Sequence, residues 1–478
     1  MAHRSTITGL FLVLAIPSLV AIGCSGADGA PGATGATGPA GEQGSTGPTG
    51  PAGTSNPSVS GITPGAAFLD RSVDVTISGY GTEWTDDTAV DFGPNVTVNS
   101  HKAASPTAIV ANLTVGPDAT LGARDVKVGD MTYAGAFKLQ SPLGLNVMGT
   151  IAQGSVATIE ANSLDFTTPF DTTYTGDGLF TPITYTNIQI SAIPGLTTSL
   201  STVEPYKLSM MAFIDVDTAA GAKDFDVVSG PAGNQVHFPY PGALDVTART
   251  ATAVSAGTPA TGNITDAYSS ALYTFTPSAG DHLLNLAVTS TSSSATPGVI
   301  ILPKSGKFAD MVKYAAAATL ATTSTDPYYL VVWDNTGAAN FDYTVKADET
   351  AVNSFAESEP NDTYQTAQTA PAFPILFKNA SLSSIDDQDW LKVDVAAGDV
   401  GKSIHVVTIP GDAYTDTVVE VFASDGTTSL GGPSNDSSYH EDWLSAPTTA
   451  AGAYYVKISA SSYFSSSAKN YQAIITLE

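Results

Sequence analysis

Glycine recurs at every third position across residues 26–53 without a break. Chance does not hold that register for so long. Three chains in polyproline II conformation can pack around a shared axis only if each third residue is glycine, because the axis has no room for a side chain. Unpaired, the same tract is an extended spacer. Both readings stand, and the first implies a homotrimer. Either way, at about 3 Å per residue the tract carries the downstream domains on the order of 90 Å from its start.

Cys24, the only cysteine, stands immediately before this tract. Arg4 gives a basic start, and residues 9–23 are almost unbroken apolar sequence, too short to span a bilayer but suited to the core of a secretory signal. Ala21-Ile22-Gly23-Cys24 resembles the lipobox of bacterial lipoproteins, although Ala21 stands where leucine is most common. The resemblance implies cleavage after a signal of residues 1–23 and acylation of Cys24. The protein is then exported, lipid-anchored to the cell envelope, and held at the outer membrane facing outward. The membrane is then a partner through the lipid alone. A secretory signal that merely ends near a cysteine is the other reading. Residues 24–55 make the anchor and a collagen-like stalk.

The chain of 478 residues has 45 acidic and 18 basic side chains, a formal charge of −27. Such a balance argues against nucleic acid and favours divalent cations. Charged residues make up only 13% of the chain, which is rich in Ser, Thr, Ala and Gly and lacks heptad-like patterns. The expected fold class is all-β, a tandem of immunoglobulin-like and jelly-roll-like β-sandwich domains behind the Gly-X-Y stalk.

Four modules come after the stalk. In residues 56–141, Val73-Asp74-Val75-Thr76-Ile77 alternates as a half-buried strand does, and Ser78-Gly79-Tyr80-Gly81 supplies a turn. The order "ITPG…VDVTISGYG…VDFG…GARDVKV" is similar to the IPT/TIG family of immunoglobulin-like domains, which implies a spacer or binding module. Residues 142–249 carry strand-like runs at 185–190 and 208–214 and read as a further β-sandwich without assignment. Its aspartates, Asp165, Asp171, Asp215 and Asp217, are expected in solvated loop and edge positions.

Residues 250–349 and 350–478 repeat one order of segments. Leu272-Tyr273-Thr274-Phe275, Val299-Ile300-Ile301-Leu302, Tyr328-Tyr329 and residues 341–345 are matched by Trp390-Leu391-Lys392-Val393, residues 418–422, Tyr454-Tyr455 and residues 471–475. Both resemble bacterial pre-peptidase C-terminal domains, the family that includes the collagen-binding domains of clostridial collagenases. The second copy matches over its whole length and the first more loosely.

Ahead of the second copy stands Glu357-Ser358-Glu359-Pro360-Asn361-Asp362, and later Asp386-Asp387-Gln388-Asp389. In extended chain, residues two apart point the same way, so Glu357, Glu359 and Asn361 can present oxygens along one edge. Multi-carboxylate oxygen coordination suits Ca²⁺ at extracellular levels. By resemblance, calcium falls to Glu357, Glu359, Asn361 and Asp362 with Asp386, Asp387 and Asp389, as a structural ion. The bland reading is an acidic linker whose Asn361 and Asp362 cap a turn. The first copy has Thr265-Asp266-Ala267 in place of the aspartate turn, so it is not expected to bind calcium, and its Asp334 and Asp342 are expected in loops. Tyr414, Tyr439, Trp443, Tyr463 and Phe464 are candidates for stacking on an extracellular protein or polysaccharide polymer, against the alternative of packing in the core or at its rim.

No zinc-protease histidine spacing and no G-x-S-x-G elbow occur, so no enzyme is expected. The expected function is that of a non-catalytic surface lipoprotein for adhesion, matrix or polymer binding. The rival is a secreted hydrolase, or an accessory subunit whose terminal domains hold polymeric substrate.

Overall fold

The computed structural model describes residues 56–178, 182–411, 415–434, 441–461 and 469–478. Cys24 and the Gly-X-Y tract lie outside the described residues. Within them the chain is all-β, with two short 3₁₀ turns and no α-helix, arranged as four two-sheet sandwiches.

The first sandwich pairs Ser58–Thr63, Ser72–Tyr80, Ala108–Val115 and Val96–Ser105 in one sheet. Ala66–Phe68, Met131–Gln140, Gly122–Val128 and Val90–Asp91 form the other. The alternation read from the sequence is realised, with Val75 and Ile77 buried against Ile109, Leu113 and Phe137. The second sandwich packs Leu196–Glu204, Lys207–Ile214, Ser155–Ser163 and Leu143–Gly149 on Ile188–Ile190, Gly221–Ser229 and Val236–Val246.

The third and fourth sandwiches share one strand order apart from an edge strand in each, which in the third is Lys313–Ala315 beside Pro297–Leu302. In the third, Thr252–Val254 lies parallel to Ser270–Phe275, followed by Tyr328–Asp334 and Pro297–Leu302. In the fourth, Gln368–Thr369 lies parallel to Gln388–Val395, followed by Gly452–Ala460 and Thr417–Phe422. The opposing sheets run Ala260–Ile264, Phe341–Ala351, His282–Ser290, Ala317–Thr322 and Ile375–Leu382, Lys469–Leu477, Ile404–Pro410, Asp442–Leu444. The fourth adds an edge strand, Asn353–Ala356, parallel to Ile375–Leu382. The chain therefore enters on one sheet at residues 353–356 and reaches the other at 368–369, so residues 357–367 cross between the sheets.

Several acids differ from expectation. Asp165 and Asp215 are buried rather than solvated. Asp165 pairs with Arg71 of the first sandwich at 2.8 Å, while Arg71 also lies over the Phe238 ring. The Asp215 carboxylate accepts the Phe308 N–H of the third sandwich at 2.8 Å. A carboxylate in such a joint is matched by a donor from the neighbouring sandwich, a long-range pairing that local pattern does not reveal. Asp334 and Asp342 lie on strands rather than in loops; Asp334 is buried and accepts the Thr336 N–H at 2.8 Å.

Candidate functional site

Residues 357–361 pass the start of Gln388–Val395, and the Trp390 N–H donates to the Asn361 carbonyl at 3.0 Å, fixing the crossing segment to that strand. Three carboxylates meet there. Glu357, Glu359 and Asp389 each offer an oxygen within 4.8 Å of the others. Asp389 is fully buried; it accepts from Asn361 Nδ2 at 3.0 Å and from the Tyr471 hydroxyl. Glu357 Oε2 accepts from the Ser381 N–H at 2.9 Å, and Glu359 Oε2 from the Asn361 N–H at 2.7 Å.

Two buried oxygens here have no hydrogen-bond partner, Glu357 Oε1 and Asn361 Oδ1; Asp226 Oδ1 and Asp416 Oδ1 share that state elsewhere among the described residues. Orphaned buried acceptors are rare because each forfeits its hydration. The first two belong to residues of this cluster. Burial, reinforced by neighbouring Glu357, pushes the Asp389 carboxyl up to about 9, and burial likewise raises Glu359. Tyr471 is also raised, by burial and then by the charge of Asp389. Carboxylates crowded this closely need a proton or a cation between them. The donors are carboxylate and amide oxygens, a set that fits a hard divalent cation.

Asp387 is buried and its carboxylate accepts from the Ser383 N–H, closing the turn before the strand. Its charge and that of Asp362 act on Glu359. Asp362 and Asp386 are exposed, outside the group of three carboxylates. Trp443 is half-buried; its ring packs on the core and lies over Gly431 and Gly432. Tyr414, Tyr439, Tyr463 and Phe464 lie outside the described residues. Sequence reasoning missed Ser381 and Tyr471. Alternation along residues 471–475 marks Tyr471 as inward-facing, but nothing local says that an acid faces it.

Fold and site together define an all-β protein of tandem sandwiches with an acidic oxygen cluster at the entry to the last. Residues 56–139 match the family described as quinohemoprotein amine dehydrogenase, alpha subunit domain III. No curated protein matches the chain. Among solved structures, tripeptidyl peptidase 2 is similar at 10% identity and TM-score 0.18, covering 70% of this chain and 34% of that one. The chain thus spans about a third of that protein's length. The I9–I11 tandem of titin is similar at 12% identity and TM-score 0.15, covering 59% of this chain and 91% of that one. The secreted serine protease VesC from Vibrio cholerae is similar at 9% identity and TM-score 0.16, covering 54% and 57%.

Proposed function

We propose that the chain is a non-catalytic surface lipoprotein that displays sandwich domains on a collagen-like stalk and binds an extracellular polymer, with calcium stapling the entry to its last domain. The observation that carries the calcium reading is the pair of orphaned oxygens, Glu357 Oε1 and Asn361 Oδ1, beside the three clustered carboxylates. Glu357, Glu359, Asn361 and Asp389 would hold the ion, which would join the two sheets bridged by residues 357–367. The ion supplies charge compensation and no reaction step.

The resemblance of the last two sandwiches to pre-peptidase C-terminal domains is supported by their common strand order. The IPT/TIG reading of the first rests on its spaced glycines and valines. The polymer reading rests on aromatic residues that the sequence of the last module offers for stacking, Tyr414, Tyr439, Tyr463 and Phe464.

The test uses the full-length protein on immobilised fibrous protein and on acidic and neutral polysaccharides, with calcium or with chelator. Retention on one polymer, lost in a Tyr463→Ala, Phe464→Ala double variant that still folds, is the expected result. Retention on none, or turnover of a peptide or glycan by the pure protein, overturns it.

A further inference from the structure

Arg249 lies between the last strand of the second sandwich and the first strand of the third. Its guanidinium donates to the Gln153 carbonyl at 3.0 Å, to the Ser270 carbonyl at 2.8 Å and to the Gly154 carbonyl. Its own N–H donates to Gln153 Oε1 at 3.1 Å. Gln153 and Gly154 belong to the second sandwich and Ser270 to the third, so one side chain holds both. Burial lowers its pKa only to about 10, so it stays charged at physiological pH. A half-buried cation ringed by carbonyl oxygens has the makings of an ion site, with the ion covalently part of the chain.

The third and fourth sandwiches correspond residue by residue here. Ala271 pairs with Val332, and Asp389 with Ile458. Aligning Tyr328-Tyr329 on Tyr454-Tyr455 therefore sets Ala271 against Asp389 and Ser270 against Gln388. Tyr343 pairs with Gly262 as Tyr471 pairs with Ala380. A Cβ on Gly262 would stand 2.2 Å from the Tyr343 hydroxyl, so only glycine fits. Tyr343 meets the Tyr273 hydroxyl at 2.8 Å, whereas Tyr471 meets Asp389. Where the fourth sandwich has an acid and orphaned oxygens, the third has alanine, a second tyrosine and a nearby arginine whose charge acts on Tyr343.

We propose that Arg249 is the built-in counterpart of a dissociable cation. It fastens the second sandwich to the third whatever the divalent-ion level, so that these two turn as one body and ion dependence is confined to the entry of the fourth. The rest of the joint agrees. The Val216 N–H donates to the Gly306 carbonyl at 2.9 Å, and Val156, Leu272, Ile300, Leu302, Phe308 and Trp333 share one apolar cluster across it. The entry to the fourth sandwich has the partly buried ion pair Lys378 and Asp281 and a smaller apolar cluster of Leu283, Leu376 and Ile474. The contrast with the fourth sandwich rests on the cation reading of its acidic cluster; the part assigned to Arg249 does not.

The test is electron–electron distance measurement on the full chain carrying Cys24→Ser. One nitroxide pair is placed through Thr202→Cys and Thr323→Cys, in the second and third sandwiches. A second pair uses Thr323→Cys and Thr449→Cys, in the third and fourth. The first pair should give a narrow distribution, unchanged by chelator and broadened about twofold by Arg249→Met. An unbroadened distribution in a folded Arg249→Met protein, or broadening of the first pair by chelator alone, overturns the proposal. If Arg249→Met does not fold, Arg249→Lys, which keeps the charge and loses the fork, is read by the same criterion. If Arg249→Met broadens the first pair while chelator leaves the second unchanged, the assignment of Arg249 holds and the cation reading of the fourth sandwich falls.

Discussion

The Tyr471 hydroxyl donates to Asp389 across 82 positions of sequence, joining the strand Lys469–Leu477 to Gln388–Val395 of the opposite sheet. Both residues are buried, and both point into the space between the sheets. The bond favours the ionised form of Asp389 against burial, which disfavours it. The tyrosine therefore offsets part of what burial costs the ionised carboxylate.

Tyr471→Phe removes that donor and little volume. A hydrogen bond to a charged group contributes about 2 kcal/mol. The calcium-loaded variant is expected to lose about that much stability, and its calcium affinity to fall about tenfold. Denaturant unfolding and calorimetric titration read the two effects. Wild-type affinity in a stable Tyr471→Phe protein counts against the role given to Tyr471.

Asp389→Asn separates crowding from binding. The amide has nearly the shape of the acid and no charge, so the metal-free variant is expected to melt at or above the wild type at pH 8. The calcium-induced rise in midpoint, several degrees in the wild type, should vanish. A melting scan with and without chelator decides it. A retained calcium shift would mean that the ion sits elsewhere.

The pH dependence follows from the raised carboxyl. Asp389 titrates near the ordinary value of 3.8 when unfolded and at about 9 in the ion-free fold. Between those limits the folded state binds more protons, so its stability falls as pH rises from about 4 to about 9. Bound cation must displace that proton. Calcium binding at pH 7 should then release about one proton, with apparent affinity rising about tenfold per pH unit up to the carboxyl pKa. Titration in buffers of different ionisation enthalpy measures the release.

Half of this site was legible in the sequence. Glu357, Glu359 and Asn361 were readable because spacing by two in extended chain is a local property. Asp389 came with them through the resemblance alone. Asp362, Asp386 and Asp387 were grouped with the ligands by the same resemblance, yet Asp362 and Asp386 are exposed and only Asp387 is buried. Tyr471, Arg249 and the buried Asp165 and Asp215 were not legible as partners, because each meets its counterpart across a sandwich or a joint. The fold class was clear from alternation and turn residues. Which joints were to be apolar was not, since Val156 and Leu272 look in sequence like any other strand residues.

His405 offers a last and independent check on the fourth sandwich. Its Nε2 lies 2.7 Å from Asp442 on the edge strand, and its Nδ1 lies 2.7 Å from Glu478. The hydrogen bond to Asp442 raises its pKa against the opposing effect of burial, and the charge of Glu478 adds to the rise. A raised histidine stabilises the fold fully below its unfolded value near 6.5, and that contribution is lost as pH climbs through the folded value. Both acids are 56% exposed, so solvent screens the pair and the effect is small. Melting midpoints of the chelated wild type should therefore fall with pH above neutrality by about 2 °C more than those of His405→Gln. Asp389 is present in both proteins, so its own decline cancels in the comparison. Parallel curves for the two would show that His405 does not hold Asp442–Leu444 against the sheet.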